Sequence, residues 1–335
     1  MKDHTLIIAE IAQAHEGSLG ILHSYIDAVA KTGVNAIKFQ THIADAESSQ
    51  EEPFRVNFSY VDKTRFDYWK RMEFNEDQWV GIKQHCDEVG LEFISSPFSI
   101  AAVELLERLG MTRYKIASGE VANLLMLDKI GKTGKPVLLS SGMSSYDEID
   151  AALSFFQKYE NPLSILQCTT AYPVPAESLG LNVIKELQSR YNLPVGLSDH
   201  SGTIYPSIAA VTLGATIIEV HATFHKEIFG PDTKASLTLS QLTDLVEGVR
   251  FIERALANPV RKNENSHYKE VKKIFGKSLA VNKDIDAGHV LNLDDLESKK
   301  PAGCGVPASE FESVIGKAVN KALKKYSFLT KGDLQ

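Results

Sequence analysis

The feature that most constrains this chain is an alternation repeated eight times over its first 256 residues: a short apolar run with polar residues at its end, a turn, then a segment of helical period. The runs are Leu6–Ala12, Ala36–Thr41, Glu92–Phe98, Arg113–Gly119, Pro136–Ser141, Leu163–Thr169, Pro194–His200 and Ile217–Thr223. Between them helices are expected over Leu19–Lys31, Asp77–Val89, Ala101–Leu109, Ser145–Tyr159 and Leu181–Arg190, and Gly33, Gly90, Gly110, Gly134 and Gly214 fall where helix C-caps belong. Continuously apolar strands alternating with helices imply a parallel sheet covered on both faces. Eight units in about 250 residues predict a closed (β/α)8 TIM barrel. The competing open, doubly wound sheet would carry GxGxxG after its first strand, and residues 12–17 do not supply it.

Composition enters where the pattern stops. The net charge is −7, yet residues 261–335 hold 14 Lys+Arg against 10 Asp+Glu while the first 260 hold 22 against 33. That shift, a polar basic stretch after Ala257 and short strand-like runs from Phe275 divide the chain into a barrel over 1–257, a linker over 258–276 and a small mixed domain over 277–335. The acidic balance disfavours nucleic acid and anionic membrane as partners. No apolar run approaches the roughly 18 residues of a membrane span, and the N-terminus lacks the basic and small-residue marks of a signal peptide, so a cytoplasmic protein is expected. Cys86, Cys168 and Cys304 show no zinc or disulfide spacing and are expected to be buried thiols.

One connection is unusually long. About 33 residues rich in aromatic and charged side chains separate Thr41 from the helix near Asn75; a loop of this length is expected to be a lid or a packed excursion, and after strand two it should overhang the catalytic face.

In a barrel, chemistry collects at the C-terminal ends of the strands. Here those ends carry Glu10, Lys38, Gln40, Ser96, Lys115, Ser118, Glu120, Ser140, Thr170, Tyr172, Ser198, His200, Glu219 and His221. Residues two apart on a strand share a side, which pairs Lys38 with Gln40, Ser198 with His200 and Glu219 with His221. Lys38 and Lys115, with hydroxyls from Ser96, Ser118, Ser140 and Ser198, suit a phosphate and a carboxylate. His200 and His221 on adjacent strands can offer two imidazoles to one exchangeable divalent ion. Glu10 and Glu120 are placed to transfer protons or bind hydroxyls. Asp232, in a Gly-Pro turn, reads either as a site acid or as a cap for the helix starting near Leu239.

The segments AEIAQAHEGSLG (9–20), IKFQTH (37–42), FISSPFS (93–99), YKIASGE (114–120), LLSSGMSS (138–145), QCTTAYP (167–173), GLSDHSG (196–202), EVHAT (219–223) and GPDTKAS (230–236) together resemble the sialic acid synthase family, which condenses phosphoenolpyruvate with N-acylated amino sugars. The tail from Lys277 resembles the antifreeze-like (SAF) domain of that family. The resemblance implies that His200 and His221 bind Mn²⁺, or Mg²⁺ or Co²⁺ in its place. It implies that Lys38, Ser96, Lys115, Ser118, Ser140, Thr170 and Ser198 hold phosphoenolpyruvate. Gln40, Tyr172, Asp232 and Lys300 would contact the sugar, Glu10 and Glu120 would serve catalysis, and a domain-swapped homodimer would place residues 277–335 over the partner's barrel.

Departures cluster on the sugar side. Thr170 stands where the family has Asn, Lys300 where it has an Arg that reaches the acyl group, and Lys cannot make the same bidentate contact. His225 is an additional imidazole. These changes predict the shared reaction on a variant acceptor, a 6-deoxy or diacetamido hexose. The alternatives are a synthase of the Kdo-phosphate or deoxyheptulosonate type with a phosphorylated aldose, disfavoured because the strand ends hold no Arg for a second phosphate, and a noncatalytic carbohydrate-binding relative.

Overall fold

The computed structural model describes residues 4–335 apart from residue 57. Eight parallel strands, β1 (Leu6–Glu10), β2 (Ala36–Thr41), β3 (Glu92–Pro97), β4 (Tyr114–Ile116), β5 (Val137–Ser140), β6 (Leu163–Cys168), β7 (Val195–Asp199) and β8 (Ile217–Thr223), pair in sequence order, and β1 pairs with β8 to close the barrel. Most strands end one to three residues earlier than their apolar runs, because the polar residues beyond leave the hydrogen-bonded ladder and turn toward the following helix. A two-residue strand, β9 (Leu237–Thr238), adds to the end of β8.

The helices are α1 (Leu19–Ala30), α2 (Ala44–Glu47), α3 (Arg65–Met72), α4 (Glu76–Glu88), α5 (Ile100–Arg108), α6 (Leu124–Gly131), α7 (Tyr146–Phe156), α8 (Leu181–Tyr191), α9 (Tyr205–Thr212) and α10 (Leu239–Ala257). Several starts are written in the sequence as polar caps: Ser18, Asn75, Ser99, Ser145 and Thr238 each accept a backbone N–H from the first turn of their helix. Thr238, with Gln241, forms the capping box of α10. The cap reading of Asp232 is therefore corrected: its side chain caps no helix.

Alternation along each strand builds two shells. Outward residues such as Ile7, Ala9, Ile37, Phe39 and Phe93 pack against the helices in the main core. Inward residues Ile8, Ala36, Ile94, Leu138, Leu166 and Ile217 form a separate apolar plug inside the barrel. Two residues further along the same faces stand Glu10, Lys38, Ser96, Ser140, Cys168 and Glu219, so the plug is the floor of a polar chamber. Gly196 makes the β7–β8 approach possible, since a Cβ there would lie 2.5 Å from the Ile217 carbonyl oxygen.

The long β2–α4 connection is a packed excursion. It contains α2 and α3, with Ala44, Tyr68, Trp69 and Met72 forming a small core against which Phe54, Phe58 and Phe66 pack. Arg71 fastens it to the β1–α1 turn, donating to Asp62 and, at 2.8 Å, to Glu16 Oε2.

Beneath that turn His15 is buried, and its Nδ1 accepts the Gly17 N–H at 3.0 Å. Burial, with His42 and Arg71 nearby, lowers its pKa to about 3. A histidine whose folded pKa lies below its unfolded value near 6.5 stabilises the fold fully above pH 6.5 and loses that contribution as pH falls toward 3. The slope is roughly 1.4 kcal/mol per pH unit. His15→Gln keeps an acceptor for Gly17 without a titrating ring, so its acid unfolding limb, followed by circular dichroism, should be shallower than that of the parent; parallel limbs would contradict this.

Residues Pro259–Gln335 form the second compact unit. After α11 (Lys269–Phe275), strands β10 (Ser278–Val281) and β11 (Leu296–Lys299) pair antiparallel, and single bridges such as Ile285 with Leu323 complete a small β structure. Its core comprises Leu279, Val281, Ile285, Leu291, Val306 and neighbours. A 3-10 turn spans Ala308–Ser313. Of the three thiols, Cys86 and Cys168 are buried, whereas Cys304 is exposed, which corrects the expectation for it. No helix among the described residues is long and apolar enough to cross a membrane.

Candidate active site

Strand register places the polar chamber. Glu10 is level with Lys38 on one side and His221 on the other, Gln40 with Ser96, Cys168 with Ser198, and Ser198 with Glu219. These residues line a cavity of about 730 Å³ at the C-terminal end of the barrel, together with Lys115, Ser118, Ser140, Thr170, Tyr172, His200 and Asp232.

Two buried lysine–carboxylate pairs dominate its floor. Lys38 Nζ lies 2.5 Å from Glu10 Oε2 and donates to Ser96 Oγ at 3.3 Å. Lys115 Nζ donates to Ser140 Oγ at 2.7 Å and lies 3.2 Å from Glu219 Oε1, which also accepts from Ser198 Oγ at 2.9 Å. Burial raises the pKa of Glu10, the Lys38 ammonium opposes it and Glu219 adds to it. For Glu219 burial also acts upward, but Lys115 and Lys38 prevail and hold it at about 2. Glu219 therefore stays ionised, while burial and Glu219 push the Glu10 carboxyl upward against the pull of Lys38. The second oxygen of Glu219 and the Thr170 hydroxyl are buried without a hydrogen-bond partner, free to meet a ligand.

Gly142 completes the anion side. A Cβ at this position would sit 2.5 Å from Ser118 Oγ, 2.6 Å from Thr170 Oγ1 and 3.0 Å from Cys168 Sγ, so only glycine leaves the backbone open beside these groups.

Across the cavity the His200 and His221 rings stand 5.2 Å apart, with Tyr172 4.2 Å from His200. His200 Nδ1 donates to the Thr169 carbonyl at 3.0 Å, which leaves its Nε2 lone pair available. Burial and the neighbouring His221 lower His200 to about 4, and burial lowers His221 as well, so both rings are neutral near pH 7. Two neutral imidazoles fit a divalent ion. Among the described residues no group of three or more metal-capable side chains converges, so such an ion would keep open positions for substrate and water.

The excursion supplies the mouth. Arg55, Phe58, Arg65 and Trp69 line the cavity from this segment, which overhangs the catalytic face as expected. Arg55 stacks 4.3 Å above Tyr172 and approaches Asp232 at 3.5 Å; Arg65 lies 3.9 Å over Trp69 and 3.5 Å from Glu52. Neither arginine was singled out from the sequence, because strand-end reasoning does not reach loops.

Two expected residues are placed apart. Glu120 falls in a 3-10 turn over Ser118–Glu120 and is not among the residues lining the cavity; its Oε2 accepts from Asn123 Nδ2 at 2.7 Å. Burial raises its pKa, with Asn123 opposing. Lys300 belongs to the second unit, its ammonium 4.9 Å from the Phe275 ring. His225 is exposed on the β8 loop and does not line the cavity.

The sequence model of the NeuB family matches residues 25–261, and that of the SAF domain matches residues 276–335. The chain is 34% identical to the N,N'-diacetyllegionaminic acid synthase of Campylobacter jejuni over 96% of its own length and 97% of that protein. It is also 34% identical to human N-acetylneuraminate-9-phosphate synthase, over 93% of this chain and 88% of the relative. Among solved structures, the N-acetylneuraminic acid (sialic acid) synthetase of Leptospira borgpetersenii superposes with a TM-score of 0.71 at 31% identity, covering 81% of this chain and 91% of that one.

Proposed function

The chain belongs to the NeuB family, and from that premise we propose that it condenses phosphoenolpyruvate with an N-acylated hexosamine, releasing phosphate and forming a nonulosonic acid. The observation that carries this reading is the pair of buried lysines, each with a serine hydroxyl, facing two neutral imidazoles in one chamber.

Lys38 and Lys115, with Ser96, Ser118, Ser140, Thr170 and Ser198, hold the phosphate and carboxylate of phosphoenolpyruvate, which fixes C3 in attack geometry. Gln40, Tyr172 and Asp232 bind the acyclic sugar. The C3–C1 bond forms at the sugar aldehyde, and Glu10, whose buried carboxyl has a raised pKa, delivers the proton to the resulting alkoxide. Glu219 remains ionised and stabilises positive charge at C2 until water adds there, and the proton the water releases restores Glu10. Phosphate then leaves with the bridging oxygen. A divalent ion on His200 and His221, Mn²⁺ by resemblance, supplies Lewis acidity and a template when bound. Glu120, away from the cavity, has no part in these steps. The homodimer and the contribution of Lys300 to a partner's site belong to the same proposal.

The acceptor is proposed to be a 6-deoxy or diacetamido sugar. The legionaminic acid synthase relative supports this. One observation favours a phosphorylated acceptor instead: Arg55 and Arg65 at the mouth, although each already faces a carboxylate. Phosphate release with Mn²⁺ and a panel of N-acetylmannosamine, its 6-phosphate and 2,4-diacetamido-6-deoxy hexoses separates the two. The diacetamido sugar is expected to turn over fastest; exclusive use of N-acetylmannosamine or of its phosphate would overturn the acceptor assignment.

A further inference from the structure

His42 follows β2 directly, is 3% exposed and takes no part in the steps above. Its ring is clamped between Trp69 of the excursion, at 3.9 Å and 18°, and Phe98 beyond β3, at 4.6 Å and 13°. Both nitrogens are engaged. Nδ1 lies 2.6 Å from Glu47 Oε1, and Nε2 lies 3.0 Å from Gln13 Nε2 and 3.1 Å from Gln40 Oε1. The contacts continue inward: Gln13 Nε2 donates to Gln40 Oε1 at 2.5 Å, and Gln40 Nε2 donates to Glu10 Oε1 at 3.1 Å.

The polarity of this chain follows from its ends. A carboxylate oxygen accepts, so His42 Nδ1 donates its N–H to Glu47 Oε1 and Nε2 is left as an acceptor. One Gln13 amide hydrogen then meets Nε2 and the other meets the Gln40 carbonyl. Gln40 is thereby turned with its NH₂ group toward Glu10, and its remaining N–H is left for the cavity it lines.

We propose that His42 is a positioning residue which, through Gln13, fixes the orientation of Gln40 and Glu10 and makes Gln40 a hydrogen-bond donor to an oxygen of the acceptor. The statement about the acceptor rests on the proposed function; the orientation of the two glutamines does not. A substrate presenting an N–H at Gln40 would leave two donors facing each other, so the arrangement selects a carbonyl or hydroxyl oxygen there.

His42→Phe preserves the stack between Trp69 and Phe98 but removes both nitrogens, and Gln13→Leu breaks the chain one link nearer the cavity. In steady-state kinetics each is expected to lower kcat/KM for the acceptor about 10- to 100-fold, with KM for phosphoenolpyruvate changed by less than about twofold. A second readout is independent of turnover. In glutamine-labelled protein the Gln13 side-chain amide protons should exchange slowly in the parent and rapidly in His42→Phe, while Gln167, whose amide donates to the Leu179 carbonyl, should not change. Parental kinetics in both variants, or unchanged Gln13 exchange, would overturn the proposal. So would a parallel loss for both substrates with a lowered Tm, the mark of a merely structural role. If no sugar turns over in the parent, the proposed function fails and amide exchange alone decides the orientation.

Discussion

Lys115→Met should reduce kcat/KM for phosphoenolpyruvate by about a thousandfold or more, the scale on which a buried charged donor to a reacting anion contributes. The substitution also leaves Glu219 buried with only Ser198 in hydrogen-bond contact and Lys38 in its vicinity. Breaking a buried pair from one side costs about 3–5 kcal/mol, so some loss of stability is expected as well. The double variant Lys115→Met/Glu219→Leu separates the effects. Removing both charges together is often close to neutral, so the pair should recover most of the parental Tm while remaining inactive. Recovery of activity with stability would mean that Lys115 acts only by neutralising Glu219.

His200→Ala and His221→Ala should each lower affinity for Mn²⁺ at least about a hundredfold, because in the proposed two-imidazole site each variant leaves a single protein ligand. Titration calorimetry checks this directly, and EDTA should silence the parent with recovery on adding Mn²⁺. Binding of phosphoenolpyruvate itself should survive in both variants, since Lys38 and Lys115 pair with Glu10 and Glu219 rather than with the histidines. Parental metal affinity in either variant would remove the imidazole pair from the account.

These expectations rest on residues whose placement was legible because strand geometry is periodic. Glu219 and His221 were paired by the two-residue rule, and the structure extends it: Ile8 is interior with Glu10 two residues later, and Ile217 with Glu219. Legibility ended where the ladder ended. β4 stops at Ile116, and the 3-10 turn after it keeps Ser118 in the cavity wall while Glu120 leaves it, a separation that no two-residue period predicts. Arg55 and Arg65 were hidden for a different reason. They sit on an excursion whose position depends on its own aromatic core and on the Arg71 contacts to Asp62 and Glu16, none of which has a period in the sequence. His42 was visible only as the last letter of a motif; its partners Glu47, Gln13 and Trp69 come from three separate segments and meet only in the folded chain.

The most direct measurement of the central claim follows one oxygen. Phosphoenolpyruvate labelled with ¹⁸O in the bridge between C2 and phosphorus is incubated with the protein, Mn²⁺ and the acceptor panel, and phosphate and sugar product are read by mass spectrometry. Condensation followed by C–O cleavage predicts labelled phosphate in equal amount to a product heavier than its sugar by one pyruvate unit. Unlabelled phosphate, or phosphate formed without such a product, would contradict it.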